Sequence, residues 1–273
     1  MWQIDGLIHV LASASSLLST QSKLAEDLEI WSSREFDFVD LADPFTRASV
    51  LMPQKRNPYS LSIVRGASGV LIGRLTGFLA VAKSPSARSD NLIFAYGEVP
   101  RALDLAIRVT RLMAGVMRTL DVNVDRMAHG LDDGYTQATD LSEFIVQNCG
   151  IDYRSAYDVV GRTVREASRS GIPGRLITGA MLDESAMVEA GQPLGLTSMD
   201  LSTVLDPSVI IESRKATGGA APTAVQSMIR QCEQNADGLG AAVARRRQGL
   251  VQAKQRLLEQ ATLTAHDVED QDD

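Results

Sequence analysis

Residues 57–82 read NPYSLSIVRGASGVLIGRLTGFLAVA, and the spacing of their apolar side chains decides the fold. Leu61, Val64, Leu71, Leu75, Phe78 and Leu79 share one face at the α-helical period, while Gly66, Gly69, Gly73 and Gly77 run along another. Glycine lowers helix propensity but lets a neighbouring helix approach closely. Pro58 suits a first helical position, and Asn57 before it is expected to cap the first free N–H groups. The segment therefore predicts a long helix over 59–82 whose surroundings are other helices.

Working outward, residues 2–31 carry Ile4, Leu7, Ile8, Leu11, Leu18, Leu28 and Trp31 at helical spacing, opposite small polar Ser13, Ser16 and Ser19. A third helix is expected over 99–121, after a loop at 83–96 rich in Ser, Pro, Asp and Asn. Beyond residue 121 the segments shorten: 124–131, 138–149 ending at Gly150, and 153–170 ending at Gly171. A Gly/Pro-rich stretch leads to Gly195, and two short helices broken at Asp206-Pro207 follow. Helical periodicity returns from Pro222. No strand with period-two alternation is evident. The expected fold is all-α: a long-helix bundle over 1–122 that includes a loop at 46–58, a smaller helical lobe over 123–221, a C-terminal helix or helices over 222–263, and a disordered acidic tail over 264–273.

The chain has 273 residues, 44% of them hydrophobic, and a net charge of −7. That charge argues against nucleic acid or an anionic membrane as the main partner, because both are polyanions. The apolar run at 7–18 follows Asp5, and no lysine or arginine precedes Lys23, unlike a signal peptide. No run of eighteen or so apolar residues suggests a membrane span. Cys149 and Cys232 lack ligand-like spacing, so neither a disulfide framework nor a metal is expected, and a reducing cytoplasm fits. No cofactor is expected either. Gly238 to Val243 resembles part of a dinucleotide fingerprint, but no strand precedes it. Arg245-Arg246-Arg247 reads as a solvated helix face.

The loop TRASVLMPQKRNP, residues 46–58, is where chemistry is expected. A helix N-terminus presents partial positive charge, and Lys55 and Arg56 add two cations beside it, which together suit an anion such as a carboxylate. Ser49 is the only hydroxyl between Thr46 and Tyr59. In such a field its alkoxide is stabilised, the condition for a serine base or nucleophile. The plainer alternative is a solvated Lys-Arg pair and a serine making a local backbone bond.

The string Ser-x-Leu-Met-Pro-Gln-Lys-x-Asn-Pro resembles the signature loop of the fumarase/aspartase superfamily, and Gln54 most resembles the argininosuccinate lyase branch. Further likenesses are Ser60-Leu61, Ile63 to Gly66, Ala138-Thr139-Asp140-Leu141, Leu205-Asp206-Pro207 and Arg214 to Pro222. The resemblance implies a carbon-nitrogen lyase that releases fumarate from an N-succinyl compound by anti elimination. It implies that Ser49 removes the β-proton, that Lys55 and Asn57 hold the adjacent carboxylate as charge spreads onto it, and that Gln54 lines the same pocket.

Three departures accompany it. The family's two upstream histidine segments have no counterpart: His9, His129 and His266 lack the expected neighbours, and the chain resembles the C-terminal half of such an enzyme. The family's glutamate in the helix after Asn-Pro is Ser62. The Tyr, Gln and Lys set that contacts the arginine half in argininosuccinate lyases is absent from 89–97, so the amine product is left open. Family sites combine three subunits of a tetramer. The expectation is thus a tetrameric or hetero-oligomeric assembly in which a second chain supplies the missing histidines; the alternative is a non-catalytic helical scaffold or regulatory subunit derived from such a lyase.

Overall fold

The computed structural model describes residues 4–52, 54–83, 90–132 and 134–269. Trp2, Ser89 and the end of the acidic tail, on which parts of the sequence reading fall, lie outside them. The protein is 74% helical with 3% strand, the all-α architecture expected from the periodicity. It divides into two units, residues 1–131 and 132–273.

The first unit is built on α1 (Asp5–Trp31), α2 (Tyr59–Ala82) and α3 (Glu98–Arg118), with α4 (Val124–Asp132) at its end. Leu11, Leu18 and Leu28 of α1, Leu61, Val64 and Leu71 of α2, and Val109 and Val116 of α3 form one buried cluster. Full burial of each such side chain is worth about 1.5–3 kcal/mol, so the apolar stripes, rather than helix propensity, hold the rods together. Gln21 Nε2 donates to Thr110 Oγ1 at 3.1 Å and ties α1 to α3. Four two-residue strands clasp the connections: β1 (Val39–Asp40) pairs antiparallel with β4 (Asp121–Val122), and β2 (Arg47–Ala48) with β3 (Arg56–Asn57).

The glycines of α2 depart from expectation within the single chain. A Cβ at Gly66, Gly69, Gly73 or Gly77 would meet nothing within 4 Å. The buried residues of α2 lie on the opposite side of the helix, so α1 and α3 leave the glycine face open, with Val70 and Ile72 exposed beside it. Among the described residues α2 is, by length and composition, the one helix apolar enough to cross a bilayer, and 28% of that window is buried. An open apolar face with glycine at three- and four-residue steps is also what a helix packed by further helices presents.

The second unit packs α5 (Ala138–Cys149), α6 (Tyr153–Arg169), α7 (Gly179–Glu189) and α8 (Ser198–Val204) around Leu141, Ile145, Val159, Leu182 and Leu201, and α9 (Pro207–Ser213), which buries no residue fully, follows α8. Gly150 at φ +68° and Gly171 at φ +64° end α5 and α6 in the left-handed conformation that glycine adopts without penalty. Helix α7 falls in the stretch read as Gly/Pro-rich. Leu182 and Ala186 are buried whereas Met187 and Val188 are exposed, so its apolar residues mark no single face. It is specified instead by the Thr178 cap and by a fully buried bond from Thr163 Oγ1 to Ser185 Oγ at 2.8 Å. The described residues end in α10 (Pro222–Glu269), one helix of 48 residues that continues into the segment expected to be a disordered tail.

The start of α6 yields a pH prediction. The Asp152 carboxylate accepts from Ser155 Oγ at 2.7 Å and from the N–H groups of Arg154 and Ser155 at 2.9 and 3.1 Å. These bonds, the Ser155 hydroxyl first, hold it below the ordinary value of 3.8. A depressed folded pKa gives stability that is present above the unfolded value and lost as pH falls through the folded one. Asp152→Asn retains an N-cap acceptor but not the charge, so its thermal midpoint at pH 7 is expected to lie somewhat below wild type and to converge with it in acid. Between pH 4 and 2 it should show the smaller loss, a difference that thermal unfolding followed by circular dichroism measures.

Candidate active site

The loop at 46–58 is a pinned hairpin rather than an open connection. In its base Arg47 stands opposite Asn57 and Ala48 opposite Arg56. The Ser49 N–H donates to Lys55 O at 3.2 Å, and the Lys55 N–H donates to Met52 O at 3.0 Å. The base is anchored to the helices. Phe45, in a 3₁₀ turn at Asp43–Phe45, lies where a Cβ on Gly115 of α3 would approach its ring to 2.7 Å. Its carbonyl accepts from Ser60 Oγ at 2.8 Å.

Ser49 sits at the hairpin's turn. Its Oγ accepts the N–H of Met52 at 3.1 Å and of Leu51 at 3.3 Å, and among the described residues its proton has no acceptor. Two amide donors on one hydroxyl oxygen are a local turn motif and also the arrangement that stabilises an alkoxide. The local backbone bond of the plainer reading is therefore present, and it does not compete with the chemical one.

Arg56 corrects the expectation of two free cations. It donates to Asp40 at 2.8 and 3.1 Å and to Leu41 O at 2.6 Å, and pairs with Asp43 at 2.9 Å. The Asp40 hydrogen bond, before any other cause, raises its pKa above the ordinary value. Strand alternation explains the division of labour: Arg56 points back to the base, and its neighbour Lys55 is exposed with no ion pair among the described residues. Arg56→Gln cannot bridge these three partners. The expected result is unchanged helicity and a turnover loss on the order of tenfold, within what a displacement of about an ångström costs a catalytic group. Helicity and turnover of the assembled protein, each compared with wild type, check it.

Asn57 supplies a second correction. It does not cap α2: its Nδ2 donates to Arg47 O at 3.2 Å across the hairpin, and Pro58, at ψ 59°, is the residue before the helix. Pairing in β3 has claimed the Asn57 backbone, so its side chain cannot turn onto the first helical amides. The carbonyl of Pro58 accepts from Leu61 N and Ser62 N instead.

The structure thus brings Ser49 and Lys55 together through the hairpin's hydrogen bonds, places Asn57 at its base and leaves Gln54 exposed beside Lys55. The tip is open: Val50 is 99% and Leu51 89% exposed. Nearby, Ser62 Oγ donates to Glu29 Oε1 of α1 at 2.6 Å, and Arg65 pairs with Glu29 and, at 3.2 Å, with Glu26. A carboxylate therefore meets the first turn of α2 from the neighbouring helix. Its signal in the sequence, one of two glutamates on α1, is visible only after α1 and α2 are packed. Groups of three or more His, Cys, Asp or Glu able to hold a metal are absent among the described residues.

Two family models match, one described as Argininosuccinate lyase C-terminal over residues 135–212 and one described as Lyase over residues 1–73. An argininosuccinate lyase of Methanothrix thermoacetophila is 32% identical over 93% of this chain and 52% of its own length. One of Herpetosiphon aurantiacus is 36% identical over 82% of this chain and 47% of its own. A solved structure of an EDDS lyase variant with bound fumarate superposes with a TM-score of 0.85 at 30% identity, covering 93% of this chain and 51% of that one. The chain spans about half the length of the curated relatives it matches. Both family models on the chain, its argininosuccinate lyase relatives and the same long-helix architecture in the solved lyase support its assignment to the fumarase/aspartase superfamily as an argininosuccinate lyase-like chain.

Proposed function

We propose that this chain carries the base-bearing loop of a carbon-nitrogen lyase that cleaves an N-succinyl compound into fumarate and an amine. The observation that carries the reading is the Ser49 hydroxyl, which accepts two backbone amides in a pinned hairpin beside Lys55, a lysine with no ion pair among the described residues. Ser49 as alkoxide takes the proton from the substrate carbon next to the one bearing nitrogen. The electron pair delocalises onto the adjacent carboxylate, held by Lys55 and Asn57, with Gln54 lining the same pocket. The pair then forms the carbon-carbon double bond of fumarate as the C–N bond breaks. The amine leaves with a proton from an acid group outside the described loop. Lys55 and the two amides favour the charge that develops and not the neutral ground state, which is how the loop lowers the barrier.

The exposed apolar tip at Val50 and Leu51, and the open glycine face of α2, support a site completed by other subunits. In this reading a second polypeptide bears the histidines, and the assembled rods share a bundle in a reducing cytoplasm. The carboxylate that Ser62 displaces from α2 is provided from α1 by Glu29. Co-purification with a polypeptide carrying the histidine segments, native mass spectrometry and spectroscopic fumarate release test the assembly. Activity is expected only in the mixture. A monomer fully active with no second chain overturns the two-chain site. Ser62 in place of a carboxylate favours the second reading, a non-catalytic scaffold, and the Ser49 variant separates the two.

A further inference from the structure

Helix α10 is the least explained element of the molecule. At 1.5 Å per residue its 48 residues span about 72 Å, and from Ile229 onward almost every described side chain is exposed. A single helix owes most of its stability to packing of an apolar face, and here, among the described residues, that face is left exposed. Its pattern is specific. Ile229, Ala236, Val243, Leu250 and Leu257 recur every seven residues, and Val225, Cys232, Leu239 and Ala253 fall four residues before or three after them. This is the three-four alternation of a two-stranded coiled coil, interrupted only by Arg246. Leu239 is 68% and Leu250 71% exposed.

We propose that α10 pairs antiparallel with α10 of a second copy of this chain, with Cys232 against Leu250′ and Leu239 against Val243′. Charge selects this arrangement. In a parallel pair Arg246 would face Arg246′ in the seam, a like-charge contact that such seams avoid. In the proposed register each Arg246 lies opposite the small Ala236′. The two arginines are then ten residues apart along the axis, about 15 Å, beyond a physiological Debye length of about 8 Å. Glu233 flanks the seam opposite Arg247′, an attractive pair made twice. Gly240 meets Gly240′ and Ala242 meets Ala242′ at the two-fold axis, which lets the backbones approach. Sliding one helix by a heptad, so that Cys232 meets Leu257′, brings the two Arg246 to within about 5 Å along the axis. The inference stands apart from the catalytic reading.

Disulfide trapping in the full chain tests it, because Cys232 is free and exposed. Under mild oxidation Leu250→Cys is expected to give covalent dimers, and Cys232→Ser in the same chain to abolish them. Wild type and Gln255→Cys, which points away from the seam, are expected to remain monomeric on denaturing gels. Dimers of wild type would signal parallel pairing, dimers of Leu257→Cys but not of Leu250→Cys the shifted register, and equal dimers of Gln255→Cys random collision. Each of these overturns the proposal, as does absence of any Leu250→Cys dimer. All substitutions fall on exposed helical positions, so loss of folding does not confound the result.

Discussion

Ser49→Ala, assembled with whatever chain completes the site, is expected to lower the turnover number for fumarate release by roughly 10²–10⁴-fold, the usual contribution of a positioned general base. KM should stay near its wild-type value, because the carboxylate contacts proposed for Lys55 and Asn57 are left in place. The hairpin should survive, since its base is held by the β2–β3 ladder, by Arg56 on Asp40, Asp43 and Leu41, and by Ser60 on Phe45. What disappears is the hydroxyl that accepts the Leu51 and Met52 amides. Steady-state kinetics with a succinyl-amine substrate distinguishes the outcomes. Release at the wild-type rate removes the lyase reading and leaves the scaffold.

Lys55→Met is expected to cost about 10²–10³ in turnover, the scale set by removing one preorganised group that stabilises developing charge. Methionine keeps the length and apolar stem of lysine, so the loss isolates the charge. The companion cation at Arg56 is already engaged by Asp40 and Asp43 and cannot take over. Lys55→Arg is expected to recover only part of the rate, since a planar guanidinium presents its donors in a different geometry from a compact ammonium. A Lys55→Met enzyme whose turnover matches wild type, with only KM raised, would show that Lys55 binds ground state and transition state alike. It would then carry no catalytic burden.

Legibility in the sequence followed the range of the interactions. The long helices were readable because burial of an amphipathic stripe leaves a local trace: α1, α2 and α3 fall within a few residues of where periodicity places them. The ends of α5 and α6 were readable for the same reason, because only glycine takes the left-handed turn at 150 and 171 without strain. Helix α7 was not, because its apolar residues surround the helix and its specification comes from α6 through Thr163 and Ser185. The roles of Arg56 and Asn57 were misread in structural terms. Nothing local shows that residue 47 pairs with residue 57, and that pairing sends one guanidinium to Asp40 and one side-chain amide to Arg47 O.

By itself the sequence determined that this protein is a set of long helical rods with a serine, a lysine and a proline-led helix gathered in one short loop. Those properties live in spacings of ten residues or fewer, within which stripes, turns and helix starts are energetically settled. Only the tertiary structure decided that the loop is a hairpin, that one of its two cations is spent as an anchor, that Glu29 brings a carboxylate to Ser62, and that the glycine face and α10 stand open. These depend on which side of each rod its neighbours occupy, a choice made by packing over the whole chain, which no stretch of ten residues contains.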